Sequence, residues 1–323
     1  MGDRQGRAGN DQRARLSLLY LTREQVAGLL PEIRVQLDLV EETYAALAAG
    51  RVELPPKPGV HPRENSFIHA MPAYLADQDV AALKWVSGYP GNKARGLPYI
   101  SGLLVLNDAE TGLPLVVMDA AEITAARTAA ASGVCIRRWA PDGWSTAAIL
   151  GCGEQGRFHA RLLNELNPDV TIRAFDPHPE RSAQLEGRVE QVPDVAAAVR
   201  GAAVVVSAAP IVEEPEPPIS TDWLGERYLA LPIDFDALFQ PGPIEAAELF
   251  LVDDVGQFEY YRSLGHFQEW PEPGGSVGSA LASDGSPDRV ACVNLGIGAL
   301  DAAFGKVVYD LALEDGIGTD LPL

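Results

Sequence analysis

Between Thr146-Ala147-Ala148-Ile149-Leu150, a short apolar run, and a helix-like stretch stands Gly151-Cys152-Gly153-Glu154-Gln155-Gly156. Few folds use a glycine triplet with this spacing in this place. The first glycine permits a tight turn off a strand. The second lets the backbone approach a pyrophosphate, and the third lets the next helix pack close to the sheet. That helix then points its unpaired N–H groups at the anion. Asp176 lies twenty residues beyond Gly156 and closes a second strand-like run, Val170–Phe175. A carboxylate there suits the ribose hydroxyls of a dinucleotide and repels a 2′-phosphate, which favours NAD; Arg181 and His178 nearby soften that preference and leave NADP possible. The candidate cofactor contacts are therefore Gly151, Gly153, Glu154, Gln155 and Gly156 from the turn, Asp176, Arg181, and Ser207 near the end of a later run, Ala202–Ala208.

From Trp144 onward short apolar runs alternate with helical patterns: 146–150, 170–175, 202–208, 228–233 and 249–252. This alternation is the signature of a Rossmann-type, doubly wound parallel sheet, expected over 144–296. The preceding part reads differently. Leu16–Leu21 is strand-like, and Thr22 with Gln25 forms a capping-box signal. A helix pattern spans about 31–49 and stops at Gly50. Leu54–Pro62, with four prolines around Lys57 and His61, is an extended loop, because prolines lack amide donors and restrict their neighbours. Strand-like runs at 83–87, 100–107 and 115–118 suggest an antiparallel sheet, and an alanine-rich helix follows from Ala121 to about Trp139. A last helix, about 297–313, is long enough to leave the parallel sheet and pack on this first unit. The fold class is thus α/β: a Rossmann sheet plus an α+β unit (16–143 with 297–323) built from both chain ends, behind a polar tail, 1–15, expected to be disordered.

A chain of 323 residues exceeds what one core usually serves, which fits two domains. The formal charge of −20 and pI near 4.6 repel phosphate backbones and anionic bilayers, so neither nucleic acid nor membrane is an expected partner. Cys135, Cys152 and Cys292 are far apart, odd in number and without a CxxC, which argues against a disulfide framework or a zinc site and for buried thiols; no metal is expected. No apolar stretch reaches spanning length and the start lacks a signal-peptide core, so a cytoplasmic protein is expected. The rigid acidic segment Glu213–Pro218 is the one compositional oddity.

With these elements placed, several strings become informative: Met71-Pro72-Ala73, Lys84-Trp85-Val86-Ser87, Pro90-Gly91-Asn92, Asp108 through Thr111-Gly112 to Pro114-Leu115, Met118-Asp119-Ala120 and, above all, Ile123-Thr124-Ala125-Ala126-Arg127-Thr128-Ala129-Ala130. On these strings the chain resembles the ornithine cyclodeaminase and mu-crystallin family, from about Thr22 to the last helix. The resemblance implies a substrate and dimerisation unit made from both chain ends, a Rossmann unit holding NAD(H) or NADP(H), and a homodimer. It implies hydride exchange between nicotinamide and the α-carbon of a small amino or imino acid, in an amino-acid dehydrogenase or ketimine reductase, with keto acids as further partners. Two alternatives stay open: a cyclodeaminase that releases ammonia from ornithine or lysine while recycling NAD internally, and a non-catalytic cofactor- and ligand-binding protein of the mu-crystallin kind.

Carried over by motif, Lys84 and Arg127 would face the substrate carboxylate and reacting nitrogen, Met71 would line the substrate site, and Thr128 would lie near the cofactor phosphates. Residue chemistry points the same way. Lys84 interrupts an apolar strand, where burial is costly without an anion, and desolvation would lower its pKa toward proton exchange. Arg127 has the planar fork that grips a carboxylate. Asp234, after a late Rossmann strand, would handle protons, with Asp236 competing for the part. The family's cyclodeaminases carry arginine in the proline-bounded loop where Lys57 stands here, flanked by His61 and Arg63. They also follow the aspartate with Pro-Gly-Lys, where this chain reads Asp234-Phe235-Asp236-Ala237-Leu238. A lysine offers a point charge in place of a fork and so would hold the substrate differently, and the second departure weighs against ornithine cyclisation. Tyr260–Phe267 brings aromatics that either line the cofactor cleft or form an ordinary helix and turn.

Overall fold

A computed structural model describes residues 17–211, 214–285 and 287–323; the expectations for the tail 1–15, for Leu16 and for Glu213 in the acidic segment lie outside the described residues. The chain opens with β1 (Ser17–Leu21), α1 (Arg23–Leu29) and α2 (Ile33–Ala48). Thr22 Oγ1 accepts from the Gln25 amide at 3.3 Å while Gln25 Oε1 accepts from the Thr22 amide at 2.9 Å, the reciprocal capping expected of this pair. Next come β2 (Val52–Glu53), β3 (Gly59–Val60), β4 (Phe67–Leu75), β5 (Val80–Gly88), β6 (Ile100–Asp108), β7 (Pro114–Asp119) and α3 (Ala121–Trp139). Strands β4 to β7 form an antiparallel meander, and β1 adds to β7 in parallel.

Strand β4 escapes the sequence reading because Pro72 interrupts it. Its outer edge is covered by β3 at Ile68–His69 and by β2 at Tyr74–Leu75, so Pro72 falls in the gap where a missing N–H costs little.

The second sheet comprises β8 (Thr146–Leu150), β9 (Thr171–Phe175), β10 (Arg188–Gln191), β11 (Val204–Ser207), β12 (Tyr228–Pro232), β13 (Leu249–Val252) and β14 (Arg289–Val293). Every pairing is parallel, in the order β10-β9-β8-β11-β12-β14-β13. Strand order reverses between β8 and β11, the switch point where open α/β sheets bind ligands. Strands β10 and β14 were not expected, the first because Arg188–Gln191 carries one apolar residue at a sheet edge, the second because it is a short run that inserts between β12 and β13. Helix α4 (Glu154–Leu166) follows the glycine turn. The shorter helices are α5 (Pro179–Ser182), α6 (Val195–Val199), α7 (Pro241–Glu245), α8 (Val255–Ser263) and α9 (Val277–Leu281).

Helix α10 (Gly298–Asp315) leaves this sheet and packs on β4 and β5, and β15 (Thr319–Pro322) then pairs antiparallel with β1. Gly298 and Gly305 make the approach possible, because a Cβ would lie 2.9 Å from the Met71 carbonyl in the first case and 2.5 Å from Leu104 Cδ2 in the second. Helix α3 is buried almost all round, and its alanines let it sit between α2, α4 and both sheets. The three cysteines are buried free thiols. Among the described residues no helix is long and apolar enough to cross a membrane, and no group of three or more His, Cys, Asp or Glu is placed to hold a metal ion.

Candidate active site

Each glycine of the turn plays a separate steric part. Gly151 has φ +90°, and a Cβ there would lie 2.4 Å from the Ala208 carbonyl; at Gly156 a Cβ would lie 2.4 Å from the Gly151 carbonyl, so both serve close packing. At Gly153 a Cβ would meet nothing within 4 Å, which leaves open space over the start of α4. Asp176 is buried with both carboxylate oxygens engaged: Cys152 N–H donates to Oδ2 and His178 N–H to Oδ1, each at 2.9 Å, while Arg181 Nη1 lies 3.6 Å from Oδ1. Asp176 therefore braces the glycine turn. The Glu154 carboxylate is drawn to Arg23 (2.6 Å) and Arg157 (2.5 Å), so what α4 offers an anion at this position is the backbone N–H.

Helices α3 and α4 are locked by a buried polar chain. His159 Nδ1 lies 2.8 Å from the Gln155 carbonyl, which can only accept, so Nδ1 carries the proton; Nε2 then accepts from Ser132 Oγ at 2.9 Å. Burial holds His159 neutral by lowering its pKa to about 4. Ser132 stands one turn beyond Thr128, whose Oγ1 donates to the Thr124 carbonyl at 2.7 Å, so this contact fixes the glycine helix against the helix of Arg127 and Thr128.

Lys84, 1 % exposed, points inward from β5 and donates to Asp301 Oδ1 at 2.7 Å and Thr124 Oγ1 at 3.2 Å. Arg127 Nε reaches the same Asp301 oxygen at 3.1 Å. Two buried cations thus share one carboxylate oxygen, and among the described residues the terminal nitrogens of Arg127 bond no protein acceptor. Desolvation lowers the Lys84 pKa to about 7 against the opposing pull of Asp301. Met71 stands directly across from Lys84 on β4, with His69 one step further on the same face, stacked on Phe67 at 4.4 Å. Burial, aided by the positive charge of Lys57, keeps His69 neutral with a pKa of about 4.

Lys57 reaches across from the proline loop and is 5 % exposed. Its Nζ donates to the Leu295 carbonyl at 2.7 Å and the Gly296 carbonyl at 3.0 Å, and lies 4.9 Å from the centre of the Tyr261 ring. Asp253, at the end of β13, accepts the Gly296 amide at 2.7 Å. Burial pushes the Lys57 pKa down and that of Asp253 up, each partly offset by the other's charge.

Asp234 closes β12 at the switch-point side. Ser207 Oγ donates to its Oδ1 and Ala209 N–H to its Oδ2 at 2.9 Å, and burial outweighs both bonds to raise its pKa to about 7. Phe235 follows in the left-handed region at φ +63° and turns Asp236 away, where it accepts the Phe267 amide at 2.8 Å and pairs with His266 at 3.3 Å. A carboxyl whose folded pKa lies above its unfolded value keeps its proton in the native state as pH rises, so it withdraws stability between about pH 4 and pH 7. Asp234→Asn should therefore stabilise the protein more at pH 8 than at pH 5, read from urea midpoints; an equal effect at both would mean that Asp234 stays ionised throughout.

Lys84, Arg127, Met71 and Lys57 are brought together by the fold, and the glycine turn, Asp176, Arg181, Ser207 and Asp234 line the ends of β8, β9, β11 and β12. No hydrogen bond or ion pair links the two groups among the described residues. Sequence reasoning missed Asp301 and Asp253. The signals were present: Asp301 is an isolated charge in the apolar stretch Gly298–Phe304, and Asp253 ends a strand as Asp234 does.

A parallel sheet with a glycine turn at its switch point defines a dinucleotide-binding α/β protein, and the buried cations lie on elements outside that sheet. The chain belongs to the ornithine cyclodeaminase/mu-crystallin family, whose model matches residues 19–231. It is 36 % identical over 313 residues to the nodulation efficiency protein NfeD of Rhizobium meliloti, covering 93 % of this chain and 97 % of that one. It is 29 % identical to the alanine dehydrogenase of Archaeoglobus fulgidus, over 95 % of this chain and 98 % of the relative. A solved archaeal alanine dehydrogenase dimer with bound NAD superposes with a TM-score of 0.81 at 26 % identity, over 95 % of this chain and all of that one.

Proposed function

We propose that this chain is an NAD-dependent oxidoreductase, with NADP the less favoured nucleotide, that moves hydride to or from the α-carbon of a small amino or imino acid. The observation that carries this reading is the Lys84–Asp301–Arg127 cluster: two buried cations against one carboxylate, with a guanidinium fork left free. The surplus positive charge suits one substrate carboxylate. Gly153, with open space where a side chain would stand, together with Asp176 fits a dinucleotide. Bound nicotinamide supplies the hydride chemistry. Arg127 anchors the carboxylate, Met71 walls the site, and Lys84, titrating near neutrality, exchanges a proton with the substrate nitrogen or with water. Asp234 is the second proton-handling group; Thr128, Ser207, Gln155 and Arg181 complete the cofactor contacts.

In the oxidative direction an amino acid, water and NAD give a keto acid, ammonium, NADH and a proton. A diamino substrate would bring a second ammonium toward Lys57, Lys84 and Arg127, three cations against Asp253 and Asp301, which favours a net dehydrogenase over cyclodeamination.

The division of labour follows the two sheets: 16–143 with 297–323 for substrate and dimerisation, 144–296 for the dinucleotide. Leu83, Trp85 and Leu103, 38–48 % exposed on the outer face of the first sheet, offer an apolar face for the homodimer, and the cytoplasm is the proposed location.

The test is absorbance at the reduced-nicotinamide band with amino acids plus NAD, then keto acids plus ammonium and NADH. Turnover with one panel is expected; ammonia from ornithine or lysine without net NADH would establish a cyclodeaminase instead. Gly153→Val should cut NADH affinity at least about tenfold while changing the unfolding free energy, read by urea denaturation, by under about 0.5 kcal/mol, because the added side chain meets only the space a cofactor needs.

A further inference from the structure

We propose that Lys57 is a positioning residue that clamps the Gly296 peptide against Arg127, the guanidinium that anchors the substrate carboxylate. The proposal rests on the oxidoreductase reading only in naming a substrate.

An ammonium has three N–H bonds to give. The Leu295 and Gly296 carbonyls take two of them, and the face of Tyr261 takes the remaining positive side at 4.9 Å. Two of the three N–H bonds are thus committed to backbone carbonyls. Pro55, Pro56 and Pro58 fix the loop that carries Lys57, so little backbone freedom is lost in holding it there.

Gly296 is held from both sides. Its carbonyl accepts from Lys57, and its amide donates to Asp253 Oδ2 at 2.7 Å. The residue has φ +81°, and a Cβ there would lie 2.6 Å from Arg127 Nη1 and 2.9 Å from Nη2. The bare backbone is thus one wall against the guanidinium, and Asp301 on Nε is the other. Fixed between them, Arg127 keeps one orientation of its fork before any ligand arrives, and preorganisation of this kind lowers the ordering cost of binding. Lys57 and Asp253 offset each other's charge, while Lys84 and Arg127 against Asp301 leave one positive charge over. The site therefore anchors one carboxylate, through a residue that Lys57 never touches.

The deciding experiment is hydrogen–deuterium exchange on the full-length protein without substrate, followed by peptides covering Leu295–Ile297. Lys57→Met should speed exchange of the Gly296 amide by about 30-fold or more, with α4 unchanged, and Lys57→Arg should fall between. In steady-state assays Lys57→Met should raise substrate KM about tenfold with kcat changed less than about threefold, and combined with Arg127→Lys it should add little to the single variant, as expected for residues acting through one another. Unchanged exchange at 295–297 would overturn the clamp, and multiplicative KM effects would show that Lys57 grips the carboxylate itself. Should Lys57→Met not fold, Lys57→Gln, which removes the charge at similar length, gives the same two readings. The exchange result needs no turnover, so it stands apart from the fate of the oxidoreductase reading.

Discussion

Arg127→Met is expected to lower kcat/KM for the amino acid and its imino or keto counterpart by about 100- to 1000-fold while leaving NADH affinity within about threefold. Removing one partner of a buried, hydrogen-bonded charge pair costs about 2–5 kcal/mol, and each 1.4 kcal/mol is a factor of ten. The split between substrate and cofactor matters more than the size. Arg127 Nε is tied to Asp301 and its terminal nitrogens bond no protein acceptor among the described residues, so the loss falls on the ligand that uses them. Arg127→Lys should recover only part of it, because an ammonium is a point charge and not a fork. Isothermal titration with NADH and steady-state kinetics on one preparation would check both halves. An equal fall in cofactor affinity would place Arg127 in the structure of the dinucleotide site instead.

Asp301→Ala should destabilise the fold by about 3–5 kcal/mol, the range for breaking a buried ion pair by removing one member. Lys84 and Arg127, both buried, would then share no carboxylate. The loss should depend on pH in a definite sense. Lys84 already has a folded pKa of about 7, below its unfolded value, and without Asp301 it falls further. Across the window between the two folded values the variant binds fewer protons than the wild type, so its deficit shrinks as pH rises toward and past 7. Chemical denaturation at pH 6 and pH 9 would show the larger gap at pH 6. A gap independent of pH would mean that Lys84 stays protonated in both proteins. Asp301→Asn, close in volume, separates the charge from the cavity.

The glycine turn was legible residue by residue, as was helix α3 from Ala121 to Trp139, because turn sterics and helical periodicity act over a few residues. Lys84 and Arg127 were also legible as anomalies, since a charge in an apolar stretch demands a partner. The partner itself was not. Asp301 lies 217 residues from Lys84, and only the passage of α10 onto β4 and β5 brings them to 2.7 Å. Lys57 shows the same limit in sharper form: the sequence marks a lysine in a proline loop, whereas its acceptors are carbonyls beyond β14, 238 and 239 residues away.

By itself the sequence determined the class of fold, the family, the dinucleotide turn and the chemical types at the site, since each rests on short-range sterics, strand and helix periods, and local strings. Tertiary structure alone decided which carboxylate each buried cation meets, that the Lys57 ammonium is spent on backbone carbonyls, and that Asp236 turns to His266 while Asp234 faces the switch point. The physical reason is that a buried charge is stable only where packing brings a counter-group to it. That packing depends on how close the small residues of α3 and α10 let their helices come to neighbouring strands and helices, a sum over contacts between segments hundreds of residues apart that no local window contains.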